Sequence, residues 1–271
     1  MRTRARVIGN QAGALLLVVA FVLLWELFVL IAQPPRFILP APSAIAAAFP
    51  PMIQQLSPHS IATLTIIMIG FVVGSVAGLL LAVVMSFSPT LRTGIYPIVI
   101  ASQTTPKIAI APLLLVWFGV GMLPKVLIVA LLAFFPVLIN ALAGLDSTDR
   151  GHLELLKSVH ASRWQTYRQV RVPAAIPFVF AGLKLALTVS VIGAIIGEWI
   201  AGNQGLGFLL LFYNANLRTT QLFVVLVTLV VLATILFALL VIVERVLSWE
   251  AKTNAASTSA TTVQIAQESS L

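Results

Sequence analysis

The chain has 271 residues, of which 60% are hydrophobic and only 9% are charged. A soluble domain contains roughly 45–50% apolar and 25% charged residues, so this composition indicates an integral membrane protein. It excludes a soluble enzyme, a DNA-binding domain and a disordered chain. The absence of cysteine excludes disulfides and thiolate metal sites, and the three histidines are too scattered for a histidine metal cluster. The net charge of +8 comes from Lys and Arg at the ends of apolar segments, which indicates membrane topology and anionic lipid rather than nucleic acid.

Six apolar segments are long enough for helices that cross a hydrocarbon core of about 30 Å. Helical spans are expected because lipid offers the backbone no hydrogen-bond partner. The sequence therefore predicts an all-α, six-span domain over residues 12–250, after a basic segment, 1–11, and before a polar tail, 251–271, that is too poor in apolar residues to fold. The six spans are Ala12–Ala32, Ala62–Ser86, Tyr96–Phe118, Val126–Gly144, Ala174–Trp199 and Leu222–Val243.

The positive charges are distributed unevenly between the two sides of these spans. With the N-terminus in the cytoplasm, eleven of the sixteen Lys and Arg residues lie on the cytoplasmic side. Three lie in outside loops, Arg36, Lys125 and Arg218, and two lie within spans, Lys107 and Lys184. Positive residues concentrate in cytoplasmic loops, so both termini are predicted to be cytoplasmic. The eleven are Arg2, Arg4, Arg6, Arg92, Arg150, Lys157, Arg163, Arg168, Arg171, Arg245 and Lys252.

The second span contains three glycines spaced four residues apart, Gly70, Gly74 and Gly78. This spacing puts them on one helix face, where small residues let another helix approach closely. We expect a helix-packing role for them, which says nothing about a substrate.

The third span contains a charge between prolines, at Pro106, Lys107 and Pro112. Lys107 lies eleven residues after the start of this span, or about 16 Å along a helix, which is near the midplane. Proline removes backbone hydrogen bonds, and a broken helix at this depth is tolerated where it lines a cavity. We therefore predict that Thr104, Thr105, Pro106 and Lys107 line a translocation path. The alternative is a proline kink that serves helix packing.

Three more ionisable residues lie within spans: Glu26, Lys184 and Glu198. Such residues are costly in lipid and face a cavity, a partner or the interface. We favour structural pairing over substrate contact for all three, and keep Glu198 as a candidate for the path.

The longest cytoplasmic connection, Leu145–Val172, is polar and basic, and we call it the platform. Asp149 can cap a short helix, Arg150–Val159. Ser162 with Gln165 three residues later is a capping box, which starts a second helix at Arg163. The pattern predicts two helices outside the membrane rather than a slack loop.

Between the two platform helices lies a tight corner at His160–Ala161, which predicts a left-handed backbone. Trp164, Tyr167 and Val170 recur every third residue on the second helix and give it an apolar face that can pack on the spans. Pro173 ends this helix or opens the next span. This arrangement favours a docking surface for a cytoplasmic partner.

The platform resembles the coupling motif of ABC importer permeases, which reads Glu-Ala-Ala, three residues, Gly, nine residues, Ile-x-Leu-Pro. The chain has the same spacing over twenty residues but replaces the alanines with Leu155 and Leu156 and the glycine with His160. The resemblance assigns ATPase coupling to Glu154, Leu155, Leu156, His160, Ala161 and Pro173.

Five other segments are similar to the nitrate, sulfonate and taurine branch of these permeases: Ile38–Ser43, Pro106–Leu113, Trp117–Gly121, Gly197–Trp199 and Gly205–Gly207. The resemblance implies a MetI-like, type I importer permease in the inner membrane. It also implies two separate ABC ATPase subunits, a second permease subunit, most simply a copy of this chain, and a periplasmic or lipid-anchored binding protein. The sequence contains no G-x-x-x-x-G-K-[ST] phosphate loop, so ATP is expected to bind to a partner subunit. We expect this chain to contain no catalytic residue and to bind no metal or cofactor.

Two other functions compete with the importer permease. An ion-coupled secondary transporter would use Glu26 and Glu198, but such carriers show paired broken helices in repeated halves, and only one broken span is evident. A membrane-embedded hydrolase lacks any Ser/His/Asp grouping. The branch resemblance implies a small anion or polar organic substrate of the nitrate, sulfonate or taurine kind. The Pro106–Lys107 version of its motif, and Gly193–Ala194 before Gly197–Glu198, are more similar to members that handle pyrimidine precursors or riboflavin.

The charge asymmetry makes the predicted topology testable with reporter fusions. Fusions after Lys157 and after Lys252 should report a cytoplasmic position, and a fusion near Gln54 a periplasmic one, because the basic segments stay inside. A periplasmic signal at Lys157 would contradict both the orientation and the coupling assignment.

Overall fold

The computed structural model describes the backbone of residues 2–35, 37–158 and 160–268, and the side chains of residues 13, 16–35, 37–149, 151, 154–156, 158 and 160–247. All regular secondary structure in these residues is helical. The helices are α1 (Arg2–Ala32), α2 (Pro42–Phe87), α3 (Pro89–Thr104), a 3-10 turn (Lys107–Ile110), α4 (Ala111–Phe118), α5 (Met122–Asp146), α6 (Arg150–Ser158), α7 (Arg163–Thr166), a π turn (Tyr167–Arg171), α8 (Val172–Ala201), α9 (Leu206–Ala215) and α10 (Thr219–Glu268).

Four described helices are long and apolar enough to cross a membrane: Pro42–Phe87, Met122–Asp146, Arg163–Ala201 and Thr219–Leu247. A fifth span is present if α3 and the segment Lys107–Phe118, which meet at an angle of 89°, are counted together. These four continuous helices correspond to the predicted second, fourth, fifth and sixth spans. The all-helical membrane fold is thus confirmed.

The described residues contain four or five candidate spans, so the predicted number of six is not confirmed. The predicted third span, Tyr96–Phe118, is bent where Pro106 removes a backbone donor. The backbone of the predicted first span, Ala12–Ala32, is helical throughout as part of α1, and the described apolar helix within it is Leu16–Ala32. The predicted N-terminal segment 1–11 is helical from Arg2, and its side chains lie outside the described residues.

The chain divides into two compact units. The first combines Met1–Ala62 with Asn203–Val231. Within it, the Tyr213 hydroxyl donates to Oε1 of Gln55 at 2.6 Å, and Nδ1 of His59 accepts the Gly205 amide at 2.9 Å. The second combines Thr63–Gly202 with Leu232–Leu271 and contains the platform and the bent span.

Helix α5 forms the centre of the second unit, because apolar side chains on several of its faces are buried. Val129, Ala133, Val137, Leu138 and Ala141 are all fully buried. Burial of this kind on most sides is typical of a helix that is surrounded by protein rather than by lipid.

The three glycines of α2 lie where this helix meets α5. A Cβ atom at Gly70 would lie 2.5 Å from Cβ of Val129, and one at Gly78 would lie 2.6 Å from the Phe134 carbonyl oxygen. A Cβ atom at Gly74 would overlap with the carbonyl oxygen of Ala130. The two backbones are therefore too close for any larger residue, which is the close approach that the glycine spacing predicts.

The backbone of α10 is helical to Glu268, where the sequence predicts a disordered tail from residue 251. Residues 251–268 include several alanines, whose helix propensity is high. Extending an existing helix also costs less than nucleating one, so an apolar face is not needed for helix formation at this point. The side chains of the tail lie outside the described residues.

Replacement of Gly74 by alanine should destabilise the protein by roughly 1–3 kcal/mol, because the added methyl group forces α2 away from α5. The measurement is the thermal unfolding of the purified protein. Gly94→Ala in α3 is the matched control, since a Cβ atom at that position meets nothing within 4 Å. Equal unfolding temperatures for the two variants would contradict the packing role of Gly74.

Candidate functional site

The platform is fixed to the membrane-spanning helices at its first residues. Arg92 at the start of α3 donates to Oδ1 of Asp146 at 2.8 Å and forms an ion pair with the other carboxylate oxygen. Asp146 is the last residue of α5, so this contact joins two spans directly before the platform. Asp149 then accepts the Gly151 amide at 3.2 Å, which is the N-cap predicted for α6.

The corner between α6 and α7 has the geometry of a Schellman motif. His160 has a φ of 54°, and the Ala161 amide donates to the Leu156 carbonyl at 2.9 Å across the end of α6. The residue with positive φ in this motif is usually glycine, because a side chain costs energy there. The predicted left-handed corner is confirmed, while the last residue of the predicted helix, Val159, lies outside the described residues.

The second platform helix starts as the sequence predicts. Ser162 accepts the Gln165 amide at 3.2 Å, and the Gln165 side chain accepts the Ser162 amide at 2.8 Å, which completes a capping box. The helix then passes through a π turn, in which the Val172 amide bonds to the Tyr167 carbonyl. Pro173 lies in the first turn of α8 and lacks an amide, so the wider turn accommodates it. Pro173 therefore opens the next span and does not end the helix.

An aromatic cluster attaches α7 to the end of α2. The ring of Tyr167 lies 4.4 Å from that of Phe87 and is 7% exposed. Trp164 lies 6.0 Å from Tyr167 and 6.5 Å from Phe87, and Leu145 and Ala175 are buried beside Tyr167. Contacts of this kind are favourable beyond area burial, so the second platform helix is held firmly on the spans.

The first platform helix offers a free surface. Glu154 is exposed, Leu155 is 64% exposed and Leu156 is half-buried. His160 is exposed at the corner, and Ala161 is half-buried behind it. Glu154 and Leu155 therefore place a carboxylate and an apolar side chain side by side on an accessible surface, a combination available for contact with a partner.

The bent span is interrupted at Thr104–Lys107, which we call the break. The last residue of α3 is Thr104, and the chain continues through extended Thr105 and Pro106 into the 3-10 turn that begins with Lys107. The first three residues are exposed and Lys107 is half-buried. The predicted interruption is confirmed, and backbone groups without helical partners lie on the surface of this unit.

Lys107 lies at the break with its ammonium nitrogen 4.5 Å from the centre of the Phe135 ring on α5. A cation over an aromatic face is attracted by the negative potential of the ring. Phe134 meets Phe135 edge-on at 5.0 Å, which fixes the ring beneath the cation.

Glu198, which the sequence analysis keeps as a candidate for the path while favouring structural pairing, is buried between helices. Its carboxylate, on α8, is 1% exposed and accepts the Thr63 hydroxyl of α2 at 2.7 Å. Lys125 of α5 is 3% exposed and close enough for its charge to interact with that of Glu198. A buried carboxylate needs such partners, so this geometry favours structural pairing.

The other two charges within spans are also paired. Glu26 accepts the Ser43 amide at 2.9 Å and the Ser43 hydroxyl at 2.6 Å, and thereby caps the start of α2. Lys184 of α8 forms an ion pair of 2.5 Å with Glu244 of α10. The structural pairing favoured for these residues is observed.

The family of the chain follows from comparison with known proteins. Residues 70–248, which include the break and the whole platform, match the family model described as a binding-protein-dependent transport system inner membrane component. The chain belongs to this family. It is an ABC importer permease subunit of the inner membrane, so the ion-coupled carrier is no longer an alternative.

Curated relatives extend the match to most of the permease. This chain is 34% identical over 223 residues to a probable ABC transporter permease protein of Haemophilus influenzae, and the alignment covers 82% of this chain and 91% of the relative. It is 36% identical over 230 residues to the riboflavin transport system permease protein RibX of Chloroflexus aurantiacus, covering 84% and 86%.

The permease also has a MetI-like structural neighbour. A chain of the MetNI methionine ABC transporter, solved in an inward-facing conformation, superposes with a TM-score of 0.62 at 21% identity, covering 74% of this chain and 98% of the other. At this identity, the likeness shows the fold alone.

Sequence reasoning missed three residues that complete these contacts. Lys125 was assigned to an outside loop but is buried in α5, and nothing in the local pattern indicated Glu244 or Phe135 as partners of Lys184 and Lys107. The position of Lys125 directly before a long apolar run was the one available signal.

Substitutions at His160 test the corner. His160→Gly should keep or slightly raise stability, and His160→Val should lower it by roughly 1–2 kcal/mol, because a β-branched side chain resists positive φ. Ser158→Val is the control, since it places the same side chain on the helical backbone of α6. The measurement is the unfolding temperature of the assembled importer. If the two valine variants behave alike, the corner does not depend on its left-handed residue.

Proposed function

We propose that this permease couples substrate movement to ATP hydrolysis in a separate ATPase through the platform, residues 145–172. The observation that carries the proposal is the left-handed corner at His160, which joins the exposed helix α6, with Glu154 and Leu155 on its surface, to the helix that continues into α8. A surface that is exposed, partly apolar and held in one orientation suits a docking helix.

The residues that the family motif assigns to coupling occupy three different places in this arrangement. Glu154, Leu155 and Leu156 form the surface of α6, His160 and Ala161 form the corner, and Pro173 opens α8. In this proposal, the first group contacts the ATPase, the second sets the angle of α6, and the proline transmits the movement into the span.

The proposed translocation path passes the break, at Thr104, Thr105, Pro106 and Lys107. Non-helical backbone is tolerated at membrane depth only where protein or a water-filled cavity covers it. Since the break is exposed in this single chain, a second permease subunit, most simply another copy, is proposed to face it and to complete the path.

The remaining assignments complete the proposed importer. Two ABC ATPase subunits bind ATP on the cytoplasmic side, where both termini of the permease lie, and no cofactor is bound by the permease itself. A binding protein delivers a small anion or polar organic substrate, of the sulfonate, nitrate or taurine kind or of the pyrimidine-precursor or riboflavin kind. The similarity to RibX supports the second group, and the charge at the break supports the first.

The coupling role predicts that Glu154→Lys leaves the protein inserted and assembled but lowers the ATPase activity stimulated by loaded binding protein. We expect a loss of about tenfold in the stimulated rate, which corresponds to roughly 1.4 kcal/mol of activation free energy. The measurement is ATP hydrolysis by the reconstituted complex with and without the loaded binding protein.

Gln169→Lys provides the control, because it adds a positive charge to an exposed position on the same platform but beyond the corner. In this variant, the loaded binding protein should stimulate ATP hydrolysis as strongly as in the parent protein. If the loaded binding protein stimulates ATP hydrolysis equally in the Glu154→Lys and Gln169→Lys complexes, α6 is not the docking surface.

A further inference from the structure

The second unit contains an apolar cavity beside the platform, which the proposed function does not use. It has a volume of about 260 Å³ and is formed by α2, α5, the π turn and α8. Ala141, Leu145 and Ala175 line its inner side and are buried. Leu79 and Val172 line its mouth and are each 38% exposed. The cavity therefore opens between α2 and the start of α8.

The lining of this cavity suits a hydrocarbon chain better than water. Tyr167 carries the only polar side chain among the lining residues, and an apolar cavity offers water too few hydrogen-bond partners. At about 30 Å³ for each group of the size of a water molecule, the volume accommodates roughly eight methylene groups. From Val172 to Phe180, the lining extends about 12 Å along α8. The cavity thus follows the direction of the spans, as the acyl chain of a lipid does.

The mouth of the cavity lies at the end of the spans, next to the aromatic cluster of the platform. Tyr167, which lines the cavity, contacts the rings of Phe87 and Trp164. Trp and Tyr side chains concentrate at the level of the lipid headgroups, and the apolar helix α8 begins at Val172. An acyl chain that enters here would therefore have its headgroup beside the π turn.

The π turn carries positive charge at this mouth. Arg168 directly follows the lining residue Tyr167. Arg171 directly precedes the lining residue Val172. The segment 160–183, which contains both arginines, includes no Asp or Glu. Guanidinium groups bind phosphate oxygens through paired, charge-assisted hydrogen bonds, so this mouth suits a phosphate group.

The acidic residues at the two ends of the cavity are already neutralised by other residues. Asp146 follows the lining residue Leu145 and forms an ion pair with Arg92. Towards the other end, Lys184 of α8 is paired with Glu244 of α10. These carboxylates therefore do not compensate the two arginines at the mouth.

We propose that this cavity binds an anionic phospholipid, with one acyl chain between α2 and α8 and the phosphate group at Arg168 and Arg171. A basic cluster beside a groove between spanning helices is the combination that recognises anionic lipid headgroups. A protein partner fits less well, because the cavity runs along the apolar spans and not across the surface of the platform. This inference goes beyond the proposed function and does not depend on coupling to an ATPase.

The test uses the assembled importer in vesicles that contain equal amounts of phosphatidylglycerol and phosphatidylcholine. A diazirine in the middle of an acyl chain is carried by one of the two lipids at a time, so the membrane composition stays constant. After illumination, mass spectrometry quantifies the labelled peptides of the permease. We expect phosphatidylglycerol to label the peptides with residues 79–83 and 172–180 at least about fivefold more than phosphatidylcholine does.

Charge variants test the headgroup contact. Arg168→Gln combined with Arg171→Gln should abolish the preference for phosphatidylglycerol, and the corresponding double lysine variant should keep it because the charge remains. Arg218→Gln is the control, since it removes an exposed arginine that lies outside the second unit. Equal labelling by the two lipids in the parent protein, or a preference that survives in the double glutamine variant, would overturn the proposal.

A larger side chain in the cavity tests the acyl-chain contact. Ile176 lines the cavity and is half-buried, so Ile176→Trp should lower the labelling of residues 79–83 by phosphatidylglycerol at least about fivefold, because the indole takes the place of several methylene groups. Ile192→Trp is the matched control on the same helix, at a position that is 48% exposed and outside the cavity. Val172→Trp blocks the mouth instead and replaces Ile176→Trp if that variant does not assemble.

Two outcomes would contradict the acyl-chain contact. One is labelling of residues 79–83 that neither cavity variant lowers. The other is a parent importer in which the lining segments receive no label, as expected if a protein subunit covers the mouth.

Discussion

Every backbone amide and carbonyl within the hydrocarbon layer must find its hydrogen-bond partner inside the protein, and most of this structure follows from that requirement. It makes the spans helical, and it makes any interruption of a helix costly unless protein or water covers it. The break at Thr104–Lys107 is therefore more than a local kink, because it leaves backbone groups without helical partners on an exposed surface. The same requirement explains why Pro173 is accommodated by a π turn rather than by a second break.

The features that sequence analysis predicted correctly depend on residues close together in the chain. The capping box of Ser162 and Gln165, the left-handed corner at His160 and the interruption at Pro106 each arise from a pattern within a few residues. Hydropathy likewise located the spanning helices, since an apolar stretch of spanning length is rare in soluble domains.

The features that were missed depend on contacts between distant segments. Whether Lys125 lies in a loop or in a buried helix is decided by α8 and α2, which bring Glu198 and Thr63 to the same end of α5. The course of α2 from Pro42, through three prolines that usually interrupt helices, is likewise not predictable from propensity.

The segment from Arg163 to Ala201 spans 39 residues without a loop, since α7, the π turn and α8 are continuous. At about 1.5 Å per residue, it forms a rod roughly 58 Å long with the corner at one end and the buried Glu198 near the other. By geometry alone, a tilt of about one degree at the corner of a rod of this length would displace the far end by about 1 Å. The far end is occupied by Lys125, Glu198 and Thr63, so under the proposed coupling a small rotation of the platform would reach these buried contacts as a larger displacement.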